Sequence, residues 1–248
     1  MTAPGCADPQ RCPVPSPDEF DLRRLTSVVL PAGTSLRRGH KRRYPADEPV
    51  PGQAELPDAT QMTRFAPVIG RPHVYVARRE VAALLESALH EVTPSEPRIR
   101  WRQLNAWSLS HVTLAQSARL IDLRDGALAA LGIARHQLVS TDPGHYPCTR
   151  LWADTLCGRH VGGRPTVGLL WHSRQAEIHA EQGIRPLIAD VLVGEQAEVA
   201  VLWPPSGGLG LHATGRTWEL HNGYGLELVR DLANLLGAPP PLTGPGSH

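Results

Sequence analysis

The sequence lacks any apolar run of the roughly 20 residues that a membrane-spanning helix needs. Residues 1–20 also lack the basic patch and apolar core of a secretory signal peptide. We therefore expect a cytoplasmic globular protein with no membrane partner. A chain of 248 residues is long enough to bury a substantial core.

Net charge is also nearly absent, because 25 basic and 24 acidic side chains leave a formal charge of +1. Proteins that coat duplex nucleic acid present a strongly basic face, so direct nucleic-acid binding is not expected. Almost all of the positive charge comes from arginine, since Lys41 is the only lysine. The planar guanidinium of arginine can donate two parallel hydrogen bonds to a carboxylate or phosphate.

Cysteine is scarce, and the four residues are Cys6, Cys12, Cys148 and Cys157. None of them forms a CxxC pair, which disfavours a structural zinc site. A disulfide scaffold is not expected in a chain of this length. Glu86 and His90 have helical spacing, but no third ligand is evident. The sequence therefore predicts no metal.

Motifs of fixed form for nucleotide binding and catalysis are absent as well: there is no GxGxxG, GxxxxGK[ST], GxSxG or HExxH. The Gly-rich stretch 207–210 follows two prolines and opens no clear helix, which favours a turn over a phosphate site. These patterns give no reason to expect a bound cofactor.

Proline is concentrated at the two ends of the chain, and this sets the expected domain limits. We expect a disordered Pro-rich tail over residues 1–21, one domain over 22–236 and a loose C-terminal tail over 237–248. Strand and helix patterns alternate irregularly within the domain, which favours an α+β fold.

Hydrophobic periodicity predicts the main elements of this domain. Strands are predicted at 73–77, 118–123, 167–171, 199–203 and 217–220. Helices are predicted at 78–92, 127–131, 148–158 and 226–236. Residues 39–62 are expected to form an extended loop, and residues 93–105 a loop with some strand.

Five polar or aromatic side chains stand at the edges of these elements: Arg38, Arg64, Tyr75, Glu86 and Ser173. Glu86 lies among apolar helical residues, where a charge is costly unless it is paired or faces a cleft. Ser173 follows an apolar strand, and polar residues at such ends often carry function. Each residue alone also fits an ordinary structural role, as a surface arginine, a core tyrosine or an exposed helix residue.

The order of short motifs around these residues resembles the RES domain, named for its Arg, Glu and Ser and found in toxins of bacterial toxin–antitoxin pairs. The segment TRFAP at 63–67 resembles the family's GRFNP-like motif, and HVYVA at 73–77 with Glu86 and His90 resembles its YxA…AL.E…H run. Three further segments resemble its LDL, T+.lA and GIxxxSxR motifs: LIDL at 120–123, TRLWA at 149–153 and GLLWHSR at 168–174. The five motifs occur in the family's order over residues 34–205.

The resemblance implies a fold similar to that of ADP-ribosyltransferases, with a mixed sheet flanked by helices, and it implies NAD⁺ as substrate with no separate cofactor. Such proteins break the nicotinamide–ribose bond, and water, phosphate or a protein accepts the ADP-ribose. The implied ligands of the diphosphate are Arg38 and Arg64, and Tyr75 would stack against the nicotinamide or shape its pocket. Glu86 would stabilise the charge that develops on the ribose or hold a ribose hydroxyl, and Ser173 would position Glu86 or the ribose. The implied catalytic set is Glu86, Ser173 and Arg38.

The resemblance also implies a partner, namely a separate Xre-like antitoxin that blocks the NAD⁺ cleft. A homo-oligomer stays open, and so does a catalytically silent module that keeps the fold. The chain departs from the family at Gly39, where an aromatic residue is frequent, and at Ala66, where Asn is usual. Arg37 could instead be the residue that matches the family's first arginine, and Tyr44 could substitute for the aromatic.

Overall fold

The structure, a computed structural model, describes residues 3–53, 63–90, 92, 98–99, 104–173, 197–204, 208 and 210–239. No helix in these ranges combines the length and the apolar character needed to cross a membrane.

Within the described part of the chain, eight strands form one mixed sheet: β1 Ser27–Leu30, β2 Ser35–Lys41, β3 Val74–Ala77, β4 Trp107–Leu114, β5 Ala118–Asp122, β8 Gly168–His172, β9 Glu198–Leu202 and β10 Leu211–Glu219. Their spatial order is β1-β5-β8-β9-β3-β2-β4-β10. β5 and β8 run parallel, and the other neighbouring strands run antiparallel. β6 (His160–Val161) and β7 (Arg164–Pro165) form a separate two-stranded sheet.

Five α-helices accompany the sheet in these ranges: α1 Glu80–Leu85, α2 Asp125–Leu131, α3 Arg135–Leu138, α4 Tyr146–Leu156 and α5 Gly223–Leu236. Short 3-10 turns cover Pro17–Glu19, Leu22–Arg24 and Pro143–His145. α2 and α5 each end at a glycine with positive φ, Gly132 at 78° and Gly237 at 67°, which is a common way to stop a helix.

Side chains alternate between the two faces of the sheet, and each face is buried in its own cluster. The first cluster contains Leu36, Val74, Val76 and Leu170. The second, which we call the helical face, carries Ala77, Leu169 and Trp171 together with residues of α1, α2, α4 and α5. A site at α1 can therefore use side chains from only one face of each strand.

α1 lies very close to β2, and Gly39 makes this approach feasible. A Cβ at Gly39 would lie 2.0 Å from Ser87 Oγ and 3.0 Å from the Ala83 backbone oxygen. The Ser87 hydroxyl donates to that same oxygen at 2.5 Å. The contact brings the C-terminal end of α1, where Glu86 follows the helix, against the sheet.

Most predicted elements are confirmed with shifted ends. The predicted strands at 73–77, 118–123, 167–171 and 199–203 correspond to β3, β5, β8 and β9, and the last predicted strand is the end of the longer β10. The predicted helices at 127–131, 148–158 and 226–236 correspond to α2, α4 and α5.

The predicted helix 78–92 is wrong in length, since α1 ends at Leu85. The Ala83 carbonyl accepts from the Ser87 hydroxyl, and the Leu89 N–H donates to Leu84 O, five residues back. These bonds replace the regular pattern in which each N–H donates to the carbonyl four residues back.

β4 was not predicted, because its buried side chains include polar ones. Ser108 and Ser110 are buried, and Ser110 Oγ lies 2.8 Å from His40 Nε2.

The predicted loop 39–62 is partly wrong, because residues 39–41 belong to β2. Residues 54–62 lie outside the described residues.

Residues 3–20, which belong to the tail that the sequence predicts to be disordered, pack against α4. Ala3, Cys6 and Val14 are buried, and Trp152 Nε1 donates to Pro15 O at 2.8 Å. Because proline has no backbone N–H, this segment needs fewer hydrogen-bond partners when it packs against a helix. Residues 240–248 of the expected loose C-terminal tail lie outside the described residues.

Candidate active site

The ends of two elements that lie far apart in the sequence meet at Glu86 and Ser173. Ser173 follows β8, is fully buried and donates from its backbone N–H to Ala197 O at 2.9 Å. Its Oγ donates to Glu86 Oε1 at 2.6 Å. A short hydrogen bond to a carboxylate is strong and directional, so Ser173 fixes how the Glu86 carboxylate is turned.

Tyr75 lies on β3 and points to the helical face, where its ring and its hydroxyl are both held. The ring packs edge-on against Trp171 with 5.9 Å between centroids. The phenol oxygen accepts from the Phe65 N–H at 3.0 Å and lies 2.8 Å from Thr63 Oγ1. Burial raises the pKa of Tyr75 to about 12, so the phenol is neutral at physiological pH.

A hollow that opens to solvent lies between α1 and the sheet. Its lining residues are Arg37, Gly39, Tyr75, Val76, Ala77, Ala83, Glu86, Ser87 and Val199. The enclosed volume of the hollow is about 10 Å³, the space of about one water molecule, so the hollow marks the position of a site and would have to open to admit a ring or a sugar.

Arg38 is not brought to this hollow, which corrects the expectation that it shares a site with Glu86. Its Nη1 donates to the carbonyl oxygens of Pro45, Ala46 and Glu48 at 3.0, 2.7 and 2.6 Å. Side chains alternate along β2, so Arg38 faces the same side as Leu36, away from the helical face. Burial lowers the pKa of Arg38 to about 10, and the guanidinium keeps its charge at neutral pH.

Arg37 is the arginine of β2 that lines the hollow. Its Nε donates to Glu80 Oε1 at 2.5 Å, and His111 Nε2 lies 3.1 Å from the same oxygen. The register alternative at Arg37 is therefore the one whose side chain lies on the same face as Tyr75. The two-residue period of the strand separates Arg37 from Arg38, but it does not show which face α1 covers.

Arg64 is buried beside the segment that holds Tyr75, and its guanidinium is directed at α4. Nη1 donates to the backbone oxygen and the hydroxyl of Thr141, both at 3.0 Å. Nη2 lies 3.4 Å from the Tyr146 hydroxyl, and the guanidinium carbon lies 5.1 Å from the centre of the Tyr146 ring. Arg64 thus borders the site and does not line the hollow.

Arg150 was assigned no role from sequence, although it stands in the TRLWA segment. It is buried, and none of its three guanidinium nitrogens has a hydrogen-bond partner within the part of the chain that the structure describes. Asp154 Oδ1, at 3.9 Å, is its carboxylate neighbour. Burial lowers the pKa of Arg150, and the nearby Asp154 and Tyr75 act in the opposite direction.

No group of three metal-ligating side chains borders the hollow among the described residues. The one group of three that the described residues do contain lies near the start of α4. Arg174, which belongs to the GLLWHSR motif, lies outside the described residues.

Comparison with known proteins was made for the sequence and for the fold. The profile of the RES domain matches residues 35–203, which is more than half of the chain. Among solved structures, the chain resembles one from the crystal structure of the M. tuberculosis MbcT–MbcA toxin–antitoxin complex. The identity is 13%, the match covers 79% of this chain and 87% of that chain, and the TM-score is 0.48. Among curated proteins, none matches. By its profile match, the chain belongs to the RES domain family and has the expected α+β fold.

Proposed function

We propose that this protein cleaves the nicotinamide–ribose bond of NAD⁺ and acts as a RES-type toxin that depletes NAD⁺. The observation that carries the proposal is the 2.6 Å hydrogen bond from Ser173 to Glu86 at the edge of a hollow that Tyr75 also lines. Membership in the RES domain family also supports the proposal. In addition, three residues of the resemblance, Tyr75, Glu86 and Ser173, lie close together.

Glu86 would stabilise the transition state. Loss of nicotinamide leaves positive charge on the ribose, and a carboxylate beside it lowers the energy of that charge. Because Ser173 already holds Glu86 Oε1, the carboxylate needs little reorientation when the transition state forms. Ser173 acts in this scheme as a positioning residue.

Tyr75 would form the wall against which the nicotinamide ring packs. Its own ring is held by Trp171 and by the hydrogen bond from the Phe65 N–H, so the aromatic surface is fixed before substrate binds. The hollow would have to open to admit the nicotinamide ring, and the rest of the dinucleotide would extend beyond it.

Arg37 would bind the diphosphate, since it is the guanidinium that lines the hollow. It would have to share or exchange its contact with Glu80 when the diphosphate arrives. Arg64 would act indirectly, by holding the 63–67 segment against α4, and Arg38 would hold the 45–48 segment. Arg150 is a further buried cation beside Tyr75 and adds positive potential to the site.

The experiment measures nicotinamide release from NAD⁺ by the purified chain. We expect release by the wild type and a loss of about 100-fold or more in Glu86→Gln, because one electrostatic group at a transition state contributes about that much. Ser173→Ala should lose less, since the carboxylate is kept. Glu227→Gln, at an exposed glutamate of α5, is the matched control. No release by the wild type, or equal rates for Glu86→Gln and wild type, would overturn the proposal.

The acceptor of the ADP-ribose is assigned in the same experiment. Release that requires phosphate indicates a phosphorylase, and release with free ADP-ribose as product indicates a hydrolase. Transfer of label from NAD⁺ to a cellular protein indicates an ADP-ribosyltransferase instead. Expression in bacteria should deplete NAD⁺ and arrest growth, and co-expression of a separate Xre-like antitoxin should restore growth.

A further inference from the structure

Three of the four cysteines and one histidine gather where the N-terminal segment meets α4. The ligand atoms of Cys6, Cys12 and His145 all lie within 4.8 Å of one another. Cys12 Sγ is also 3.5 Å from Cys148 Sγ. These four residues, here named the Cys₃His cluster, lie outside the hollow that carries the proposed NAD⁺ chemistry.

The backbone around the cluster is arranged for close approach. Ala7 N–H donates to Gly144 O at 3.0 Å, which holds the chain beside Cys6 against the residue before His145. A Cβ on Gly144 would lie 2.8 Å from the Ala7 Cβ, so glycine is needed at this crossing. His145 and Cys148 are three positions apart at the start of α4, a spacing that places both on one side of a helix.

The Cys6–His145 and Cys12–Cys148 distances agree with those between ligands of one tetrahedral zinc ion, and Cys148, which lies outside the group of three within 4.8 Å, would close on the ion as it binds. Bond lengths of about 2.3 Å to sulfur and 2.0 Å to nitrogen place two sulfurs about 3.8 Å apart and a sulfur and a nitrogen about 3.6 Å apart. Cys6 Sγ lies 3.5 Å from His145 Nδ1, and Cys12 Sγ lies 3.5 Å from Cys148 Sγ. A disulfide would need its sulfurs at about 2.05 Å.

A zinc ion favours the thiolate form of each cysteine ligand, and the protons are released to solvent when it binds.

We propose that Cys6, Cys12, His145 and Cys148 bind one zinc ion that fastens the N-terminal segment 3–20 to α4. Three thiolates and one imidazole form a common ligand set of structural zinc sites. The spacing is C-x5-C followed by H-x2-C, so the usual CxxC signature is missing although four ligands are present. The inference is independent of the NAD⁺ chemistry, because none of its ligands lines the hollow.

The site would also stabilise the first turn of α4, which supports the Arg64 segment. Thr149 Oγ1 donates to the Arg64 backbone oxygen, and Tyr146 contacts the Arg64 guanidinium. Both residues lie within four positions of His145. Loss of zinc should therefore loosen residues 3–20 first and the 63–67 segment second.

The test measures the metal content of the full chain purified in reducing buffer without chelators. We expect about one zinc per chain in the wild type and its loss in Cys12→Ser and Cys148→Ser. Cys157→Ser is the matched control, because Cys157 ends the same helix away from the cluster and should leave the zinc content unchanged. His145→Cys should keep the zinc, since four thiolates also bind zinc in a tetrahedron.

A second measurement does not depend on the folding of any variant. In the wild type, zinc should protect three thiols from alkylation, and a chelator should expose them while it lowers the melting temperature. Zinc content well below one per chain after equimolar zinc is added would overturn the proposal. A Cys12–Cys148 disulfide in protein alkylated at cell lysis, or equal zinc loss in Cys157→Ser, would overturn it as well.

Discussion

Gly39→Ala tests how closely α1 must lie on the sheet for the site to form. The added Cβ would lie 2.9 Å from Ser87 Cβ and 3.0 Å from Ala83 O, whereas ordinary contacts begin at about 3.4 Å. Rotation of the Ser87 hydroxyl relieves the shortest contact but breaks its 2.5 Å hydrogen bond to Ala83 O. The other two contacts are relieved only if the end of α1 moves away from β2 by about half an ångström.

This movement has a cost in stability and a cost in activity. Overpacking of a tight core position costs about 1–3 kcal/mol of unfolding free energy. Glu86 is adjacent to Ser87, so it moves with the end of α1 relative to Ser173. Catalytic groups need to be held within about 0.5 Å, and we expect nicotinamide release to fall about tenfold or more.

The assay compares unfolding by urea and nicotinamide release for the wild type, Gly39→Ala and the control Gly126→Ala. Gly126 lies in the first turn of α2 with no atom within 4 Å of an added Cβ. The control should therefore be neutral or gain up to about 1 kcal/mol. An unfolding free energy of Gly39→Ala within about 0.5 kcal/mol of the wild type, with full activity, would refute the packing argument.

Two further predictions concern buried charge. Burial, assisted by Arg150, lowers the pKa of His73 from 6.5 to about 4, so the unfolded chain binds a proton between those values that the folded chain does not. The unfolding free energy of the wild type should consequently fall by up to about 3 kcal/mol as the pH drops from 6.5 to 4. Urea unfolding measured at several pH values should show a smaller fall for His73→Phe. Equal pH dependence of the two proteins would count against the assignment. Glu198→Ala should cost about 3 kcal/mol in the same assay, because it leaves two guanidiniums without the buried carboxylate, which is 3% exposed. Arg23→Ala, at an exposed ion pair that solvent screens, should cost far less, and equal losses for the two variants would contradict this reasoning.

Local sequence patterns predicted the strands that are buried on both faces. β3, β8 and β9 are short runs rich in Val, Leu and Ala, and such runs show their character without knowledge of their neighbours. β4 was not predicted, because the Ser110 hydroxyl can be buried only when it has a hydrogen-bond partner such as His40. That partner lies 70 positions away in the sequence. α1 was predicted too long because its apolar pattern continues past Leu85. The helix ends where it meets Gly39 of β2, and a helical sequence pattern does not show that contact.

The candidate site divides in the same way. Tyr75, Glu86 and Ser173 were predicted from ordered motifs, and the structure brings Glu86 and Ser173 into direct contact. The choice between Arg37 and Arg38 could not be made from sequence, because adjacent strand residues point to opposite faces and only the position of α1 selects one of them.

The α+β class, the buried strands and the family could be predicted from the amino-acid order, because apolar periodicity and motif order are properties of short segments read along the chain. Three features are visible only in the folded chain: which arginine lines the hollow, the packing of the Pro-rich N-terminal segment against α4, and the approach of Cys6 and Cys12 to His145 and Cys148. These outcomes depend on contacts between residues more than 100 positions apart, or on which face of a strand a helix covers, and no local pattern encodes either.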